Sequence, residues 1–201
     1  MKKTLPFFSY LFHPIFISVF ATVFYFLVSE RYFIYETIFL YIIQVLIVTV
    51  FIPLIFFYLL IIAKKIDSIM IDNVSQRKIP LFIQVILLSI LISKTFTLEA
   101  IPELYYFFLG SIFSSVCALI LVFFKQKISL HMLGISALTV FCIACSIHFQ
   151  IRAVLFVSIL LFCNGIVASS RLYLKAHSSQ ELISGYLIGM TPQVFLLYFW
   201  L

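Results

Sequence analysis

Three short segments of this chain carry residue types able to bind and cleave a phosphate ester. The richest runs Ser170-Arg171-Leu172-Tyr173-Leu174-Lys175-Ala176-His177-Ser178-Ser179-Gln180-Glu181. The second is Lys127-Ile128-Ser129-Leu130-His131, and the third is Ser75-Gln76-Arg77-Lys78-Ile79-Pro80. Arg and Lys neutralise a tetrahedral anion, and Arg does so with a planar fork of donors. One histidine can attack phosphorus while a second gives a proton to the leaving oxygen. A carboxylate four residues after a histidine lies on the same helical face and can hold that ring in one tautomer. His177 and Glu181 have this spacing.

The elements that must position these segments are membrane helices. Of 201 residues, 65% are hydrophobic and 10% charged, and the mean hydropathy is +1.25. Soluble domains carry roughly 25% charged residues, so lipid has to be the solvent for most of this surface. Seven stretches approach or exceed the roughly 20 apolar residues a spanning helix needs. They lie near Leu11–Val28, Ile34–Ile62, Ile79–Leu91, Leu104–Phe124, His131–Phe149, Ile151–Ser170 and Leu182–Leu201. The fold class expected is an all-α polytopic membrane bundle of six to seven spans, with residues 1–201 forming a single integral membrane domain. The third stretch is short. The second is long and contains Pro53, so it should tilt, kink or extend past the lipid. Met1-Lys2-Lys3 ahead of an apolar run reads as an uncleaved first span.

Charge separates the connections into two sets. One holds ten basic residues, Lys2, Lys3, Lys64, Lys65, Arg77, Lys78, Lys125, Lys127, Arg171 and Lys175, against Asp67, Asp72 and Glu181. The other holds Arg31, Lys94 and Arg152 against Glu30, Glu36, Glu99 and Glu103. The positive-inside rule makes the basic side cytoplasmic. Two spans separate the Arg77 segment from the His131 segment, and two more separate that from the His177 segment. All three therefore return to one membrane face and can converge.

At this point the residues resemble a family. Ser170-Arg171-x5-His177-x3-Glu181 looks like the third signature of the type 2 phosphatidic acid phosphatase superfamily, with Glu181 in the place of its Asp. Ser129-Leu130-His131 is similar to a divergent second signature, Pro-Ser-Gly-His. Arg77-Lys78-Ile79-Pro80 stands where the first signature, Lys, six residues, Arg-Pro, would fall. The resemblance covers about residues 77–189 and implies an α-helical membrane phosphatase acting on a lipid phosphate or isoprenyl diphosphate. His177 would be the nucleophile that forms a phosphohistidine, oriented by Glu181. His131 would be the general acid. Arg171 would bind phosphate, with Arg77 or Lys78 supplying further charge and Ser129 assisting. No metal or other cofactor is implied. Membrane lipids are the partners expected and nucleic acid is not; the resemblance implies a bacterial inner-membrane protein whose relatives commonly work on the outer face, opposite to the cytoplasmic side that the charge rule gives, so the orientation stays open.

Other readings stand beside this one. Ile128 and Leu130 replace the Pro and Gly of the second signature, and Ile79 replaces the Arg before Pro80. A catalytically inactive relative that binds anionic lipid or a membrane partner has the same basic face. A small transporter is a third reading, disfavoured because the charged residues sit at span ends. Ser178-Ser179-Gln180-Glu181 is also a capping box, which gives Glu181 a structural job. Cys142-x-x-Cys145 reads as a pair of small hydrophobes in a membrane helix rather than a metal or redox pair. Gly185-x-x-x-Gly189 reads as close helix packing. His13 and His148 fall near opposite faces and read as packing or interfacial residues.

Overall fold

Prolines and short polar caps set where the helices begin. The computed structural model describes residues 5–71 and 73–201, so Lys2, Lys3 and Asp72 of the basic set lie outside the described residues. α1 (Leu5–Leu11) and α2 (Pro14–Val28) meet at a 66° bend. Pro14 is the physical reason. It disfavours a helical backbone at the residue before it, and His13 is extended, with φ −62° and ψ 138°. The expected first stretch, near Leu11–Val28, is thus mostly α2, with α1 bent away ahead of it.

The second apolar stretch is one continuous helical run, Tyr35–Ile62. It comprises α3 (Tyr35–Leu46), a π-helical turn (Ile47–Phe51) and α4 (Ile52–Ile62). At about 1.5 Å per residue its 28 residues run roughly 42 Å, longer than a hydrocarbon core of about 30 Å. Pro53 has no N–H to give the helix ladder and crowds the preceding turn. The wider π turn lies immediately before it and absorbs that conflict.

α5 (Lys78–Lys94) follows a 3-10 turn (Val74–Arg77), and the two together make a 21-residue candidate span. The short third stretch is thus longer than its hydropathy suggests. α6 (Pro102–Phe123), α7 (Leu130–His148) and α8 (Val154–Tyr173) match the expected segments closely. α9 (Ser179–Leu197) closes the chain. Among the described residues five helices are long and apolar enough to cross a membrane, or six with the bent pair counted as one. α9 is not among them, because Gln180, Glu181 and Gln193 dilute its apolar run. Of the six to seven spans expected, five are thus candidates by length and composition among the described residues, and six with the bent pair.

α7 is the central helix. Its apolar window is 72% buried, against 17% for Tyr35–Ile62. α9 lies against it backbone to backbone. A Cβ at Gly185 would collide with the Ser129 carbonyl, and one at Gly189 with the Leu133 carbonyl and the Ser136 hydroxyl. The G-x-x-x-G is a packing device, as expected.

Four helices stop on residues with left-handed backbone: Lys64, Lys125, Gln150 and Lys175, with φ between 52° and 59°. After each, an N–H reaches back to satisfy a carbonyl of the last turn: Lys65 to Leu60, Gln126 to Leu121, Ile151 to Ser146 and Ala176 to Arg171. These are Schellman-type ends made without glycine. Three of the four place a lysine beside the negative end of a helix dipole.

The end of the bundle away from the three segments is tied by Glu103, which is 1% exposed. Its carboxylate accepts from the Tyr25 hydroxyl at 3.2 Å and the Arg31 guanidinium at 3.2 Å, with His148 Nε2 at 3.4 Å. One carboxylate thereby joins α2, the connection after it, α6 and α7. His148 is a member of this cluster, at the end opposite His13.

Candidate active site

The turn after α8 delivers His177. Leu174 caps α8, Lys175 takes the left-handed conformation, and the Ala176 N–H bonds to the Arg171 carbonyl at 3.1 Å. Ser178 then starts α9 by accepting the Glu181 N–H at 3.3 Å. That is half of the capping box. The Glu181 side chain does not return to the Ser178 backbone but meets His177 Nδ1 at 2.6 Å. The ring donates from Nδ1 to the carboxylate, which leaves the lone pair on Nε2. The His177 side chain is 2% exposed and that of Glu181 26%, so the acid supports the ring from the solvent side.

Burial is the main cause that lowers the His177 pKa from 6.5 to about 4. The Glu181 bond opposes it, and the charges of Arg77, Arg171 and Lys127 push in the same direction as burial. At neutral pH the ring is an uncharged imidazole, the form a nucleophile requires.

His131, on the first turn of α7, is 5% exposed, and its Nε2 lies 3.0 Å from the Ser9 carbonyl of α1. A carbonyl only accepts, so Nε2 carries hydrogen and Nδ1 holds the lone pair. Arg171, on the last turn of α8, is 5% exposed, and its charge acts on His13, His131 and His177 alike. Ser170, beside it, shares a 2.7 Å hydrogen bond with Ser9, which ties α8 to α1. Arg77 donates to the Ile71 carbonyl at 2.7 and 3.0 Å and to the Ile128 carbonyl at 2.8 Å. It staples the connection before α5 to the one before α7 and is 6% exposed.

His131, Arg171, His177 and Arg77 line one cavity, and His13 lines it with them. The cavity has about 1040 Å³ of space counted to its open mouth. The rest of its lining is mainly apolar, with Val48, Pro53 and Phe57 from the long span, Leu81 and Leu88 from α5, and Ile15 from α2, and it also includes Ser18, Thr49 and Gln84.

Lys78 and Ser129 are not brought into this lining. Lys78 Nζ lies 4.8 Å from the centre of the Phe123 ring. Ser129 is fully buried at the start of α7, where its hydroxyl accepts the Met132 N–H at 3.4 Å. Glu181 acts behind His177 and does not line the cavity. Cys142 and Cys145 are free and buried, and no group of three metal-ligating side chains occurs among the described residues.

Sequence reasoning missed His13, whose ring meets that of His131 edge-on at 5.2 Å between centroids. The signal available was Pro14, which marks a helix start and puts the preceding residue at its N-cap. Ser9, which holds both His131 and Ser170, has no signal in the sequence. No family model, no characterised protein and no solved structure matches this chain.

Proposed function

We propose that this chain is a membrane-embedded phosphatase of lipid phosphates or isoprenyl diphosphates, divergent from the type 2 phosphatidic acid phosphatase superfamily. The observation that carries the proposal is the common cavity of His131, Arg171, His177 and Arg77, from segments far apart in sequence. The two arginines neutralise the phosphoryl oxygens. Nε2 of His177 attacks phosphorus, a P–N bond forms, and the P–O bond to the leaving group breaks. The leaving oxygen takes a proton from Nδ1 of His131, which for this step must be an imidazolium with its Nε2–H still bound to Ser9, and Nδ1 recovers that proton from the attacking water in the next step. Water then attacks the phosphohistidine, the P–N bond breaks, and phosphate departs with His177 restored. Glu181 holds the His177 ring and stabilises the positive charge that develops on it. The apolar walls between α2, the long span and α5 suit an acyl or isoprenyl tail. The chemistry sits at the basic face, which the charge bias makes cytoplasmic, with the tail in the bilayer.

The test is phosphate release from phosphatidic acid and undecaprenyl diphosphate by purified protein in detergent, with EDTA present. Wild type should turn over, and His177→Ala should reduce the rate to background. Activity that survives His177→Ala would remove His177 as nucleophile. A second reading, head-group binding without turnover, is favoured by the ties of Arg77 to backbone carbonyls and by Lys78 lying outside the cavity. Saturable binding of both lipids with no phosphate released would establish it instead.

A further inference from the structure

We infer that His13 is a phosphate-binding residue, donating its Nε2–H to an oxygen of the head group held in this cavity. The inference rests on the reading of the cavity as a phosphate site and adds a residue from outside the three signature-like segments. His13 precedes Pro14 in the break between α1 and α2, and its Nδ1 accepts the Ile15 N–H at 3.4 Å. An acceptor Nδ1 in a neutral imidazole requires the hydrogen on Nε2. His131 carries its hydrogen on the same nitrogen but has it already committed. Its Nε2–H is held by the Ser9 carbonyl, and its Nδ1 carries a lone pair, which cannot donate to an anion while the ring is neutral. His177 donates from Nδ1 to Glu181 and keeps a lone pair on Nε2.

Two of the three cavity histidines, His13 and His131, thus carry hydrogen on Nε2 and the third, His177, carries it on Nδ1, but each is engaged differently. His177 offers a lone pair for attack. His131 is anchored by α1. His13 is the ring whose N–H has no other hydrogen-bond partner among the described residues. The 66° bend brings it there, since an unbroken helix would carry residue 13 along the span instead of stopping it at the cavity wall. The His131 ring sets its plane from the side, and the Arg171 charge makes the same space attractive to an anion.

The experiment separates the cap from the ligand contact. Asn is as good an N-cap as any residue but lacks the reach of Nε2, so His13→Asn keeps the start of α2 and removes the donor. Inorganic phosphate and a short-chain phosphatidic acid are titrated in parallel into detergent-solubilised protein carrying 15N-histidine. In wild type the His13 Nε2–H resonance should move with saturation by either ligand. In His13→Asn the dissociation constants should rise about ten-fold or more, the size of one hydrogen bond to a charged acceptor, with the thermal midpoint unchanged. Weakening of both ligands assigns His13 to the phosphoryl oxygens they share. Weakening of the lipid alone assigns it to the ester oxygen, which also supports the proposal. Unchanged affinity, or a His13 resonance that stays still while others move, would overturn it and leave the phosphate site intact. No binding of either ligand by wild type would overturn both readings together.

Discussion

The pair formed by His177 and Glu181 ties pH, stability and rate together. Burial and the nearby arginines lower the His177 pKa from 6.5 to about 4. A group with a depressed folded pKa contributes stability that is fully present above its unfolded pKa. As pH falls from 6.5 towards 4, the unfolded chain binds a proton that the folded protein refuses. The gap is roughly 2.5 pH units, and at about 1.36 kcal/mol per unit the loss is on the order of 3 kcal/mol. Activity should follow the same group, so its acid limb should fall near pH 4 to 5 and not near 6.5.

The perturbation is Glu181→Gln. The Glu181 bond is the influence that raises the His177 pKa, so removing the carboxylate should move the acid limb to lower pH. A hydrogen bond to a charged group contributes about 1.5–3 kcal/mol. At roughly 1.4 kcal/mol per decade the rate at pH 7 should fall about 10- to 150-fold. The assay is phosphate release from short-chain phosphatidic acid between pH 4 and 8, paired with 15N NMR of the imidazoles, which reports the tautomer independently of turnover. An acid limb near 6.5 in wild type, or one that moves upward in the variant, would refute the reasoning. So would a wild-type spectrum with the hydrogen on Nε2 of His177.

Two further predictions concern the scaffold. Gly189→Ala should cost roughly 1–3 kcal/mol, the usual range for overpacking, because its Cβ meets the Leu133 carbonyl and Ser136. Gly165→Ala, with open space around it, should be neutral or stabilising by up to ~1 kcal/mol. Equal midpoints for the two variants in denaturant titrations would contradict the packing account. Glu103→Ala should destabilise by about 1–3 kcal/mol by stranding the hydroxyl of the buried Tyr25 at the end of the bundle away from the cavity. Its kcat should stay near wild type in protein that remains folded, and a selective loss of kcat would place Glu103 in the chemistry.

Helical spans, their approximate limits and the glycine contact of α9 were legible because lipid imposes long apolar runs and backbone approach demands glycine. The spacing of His177 and Glu181 was legible for a similar reason. Residues four apart on one helical turn meet without help from the rest of the fold, and the 2.6 Å contact is local. Ser178 as a cap was equally local. Lys78 and Ser129 read as site residues because their types fit, yet neighbours far along the chain decide where they point. Phe123 takes Lys78, and the first turn of α7 takes the Ser129 hydroxyl.

The sequence by itself determined a helical chain with lipid as its solvent, basic at one set of connections, with an acid placed to hold a histidine. Only tertiary structure decided that His13 and Arg77 share a cavity with His131, Arg171 and His177. It also decided that Ser9 fixes the hydrogen on His131, and that α1 and α2 meet at a sharp bend. Local spacing is written in the order of residues. The meeting of distant helix ends depends on where a proline bends one span and on which backbones can touch, and both are settled by packing.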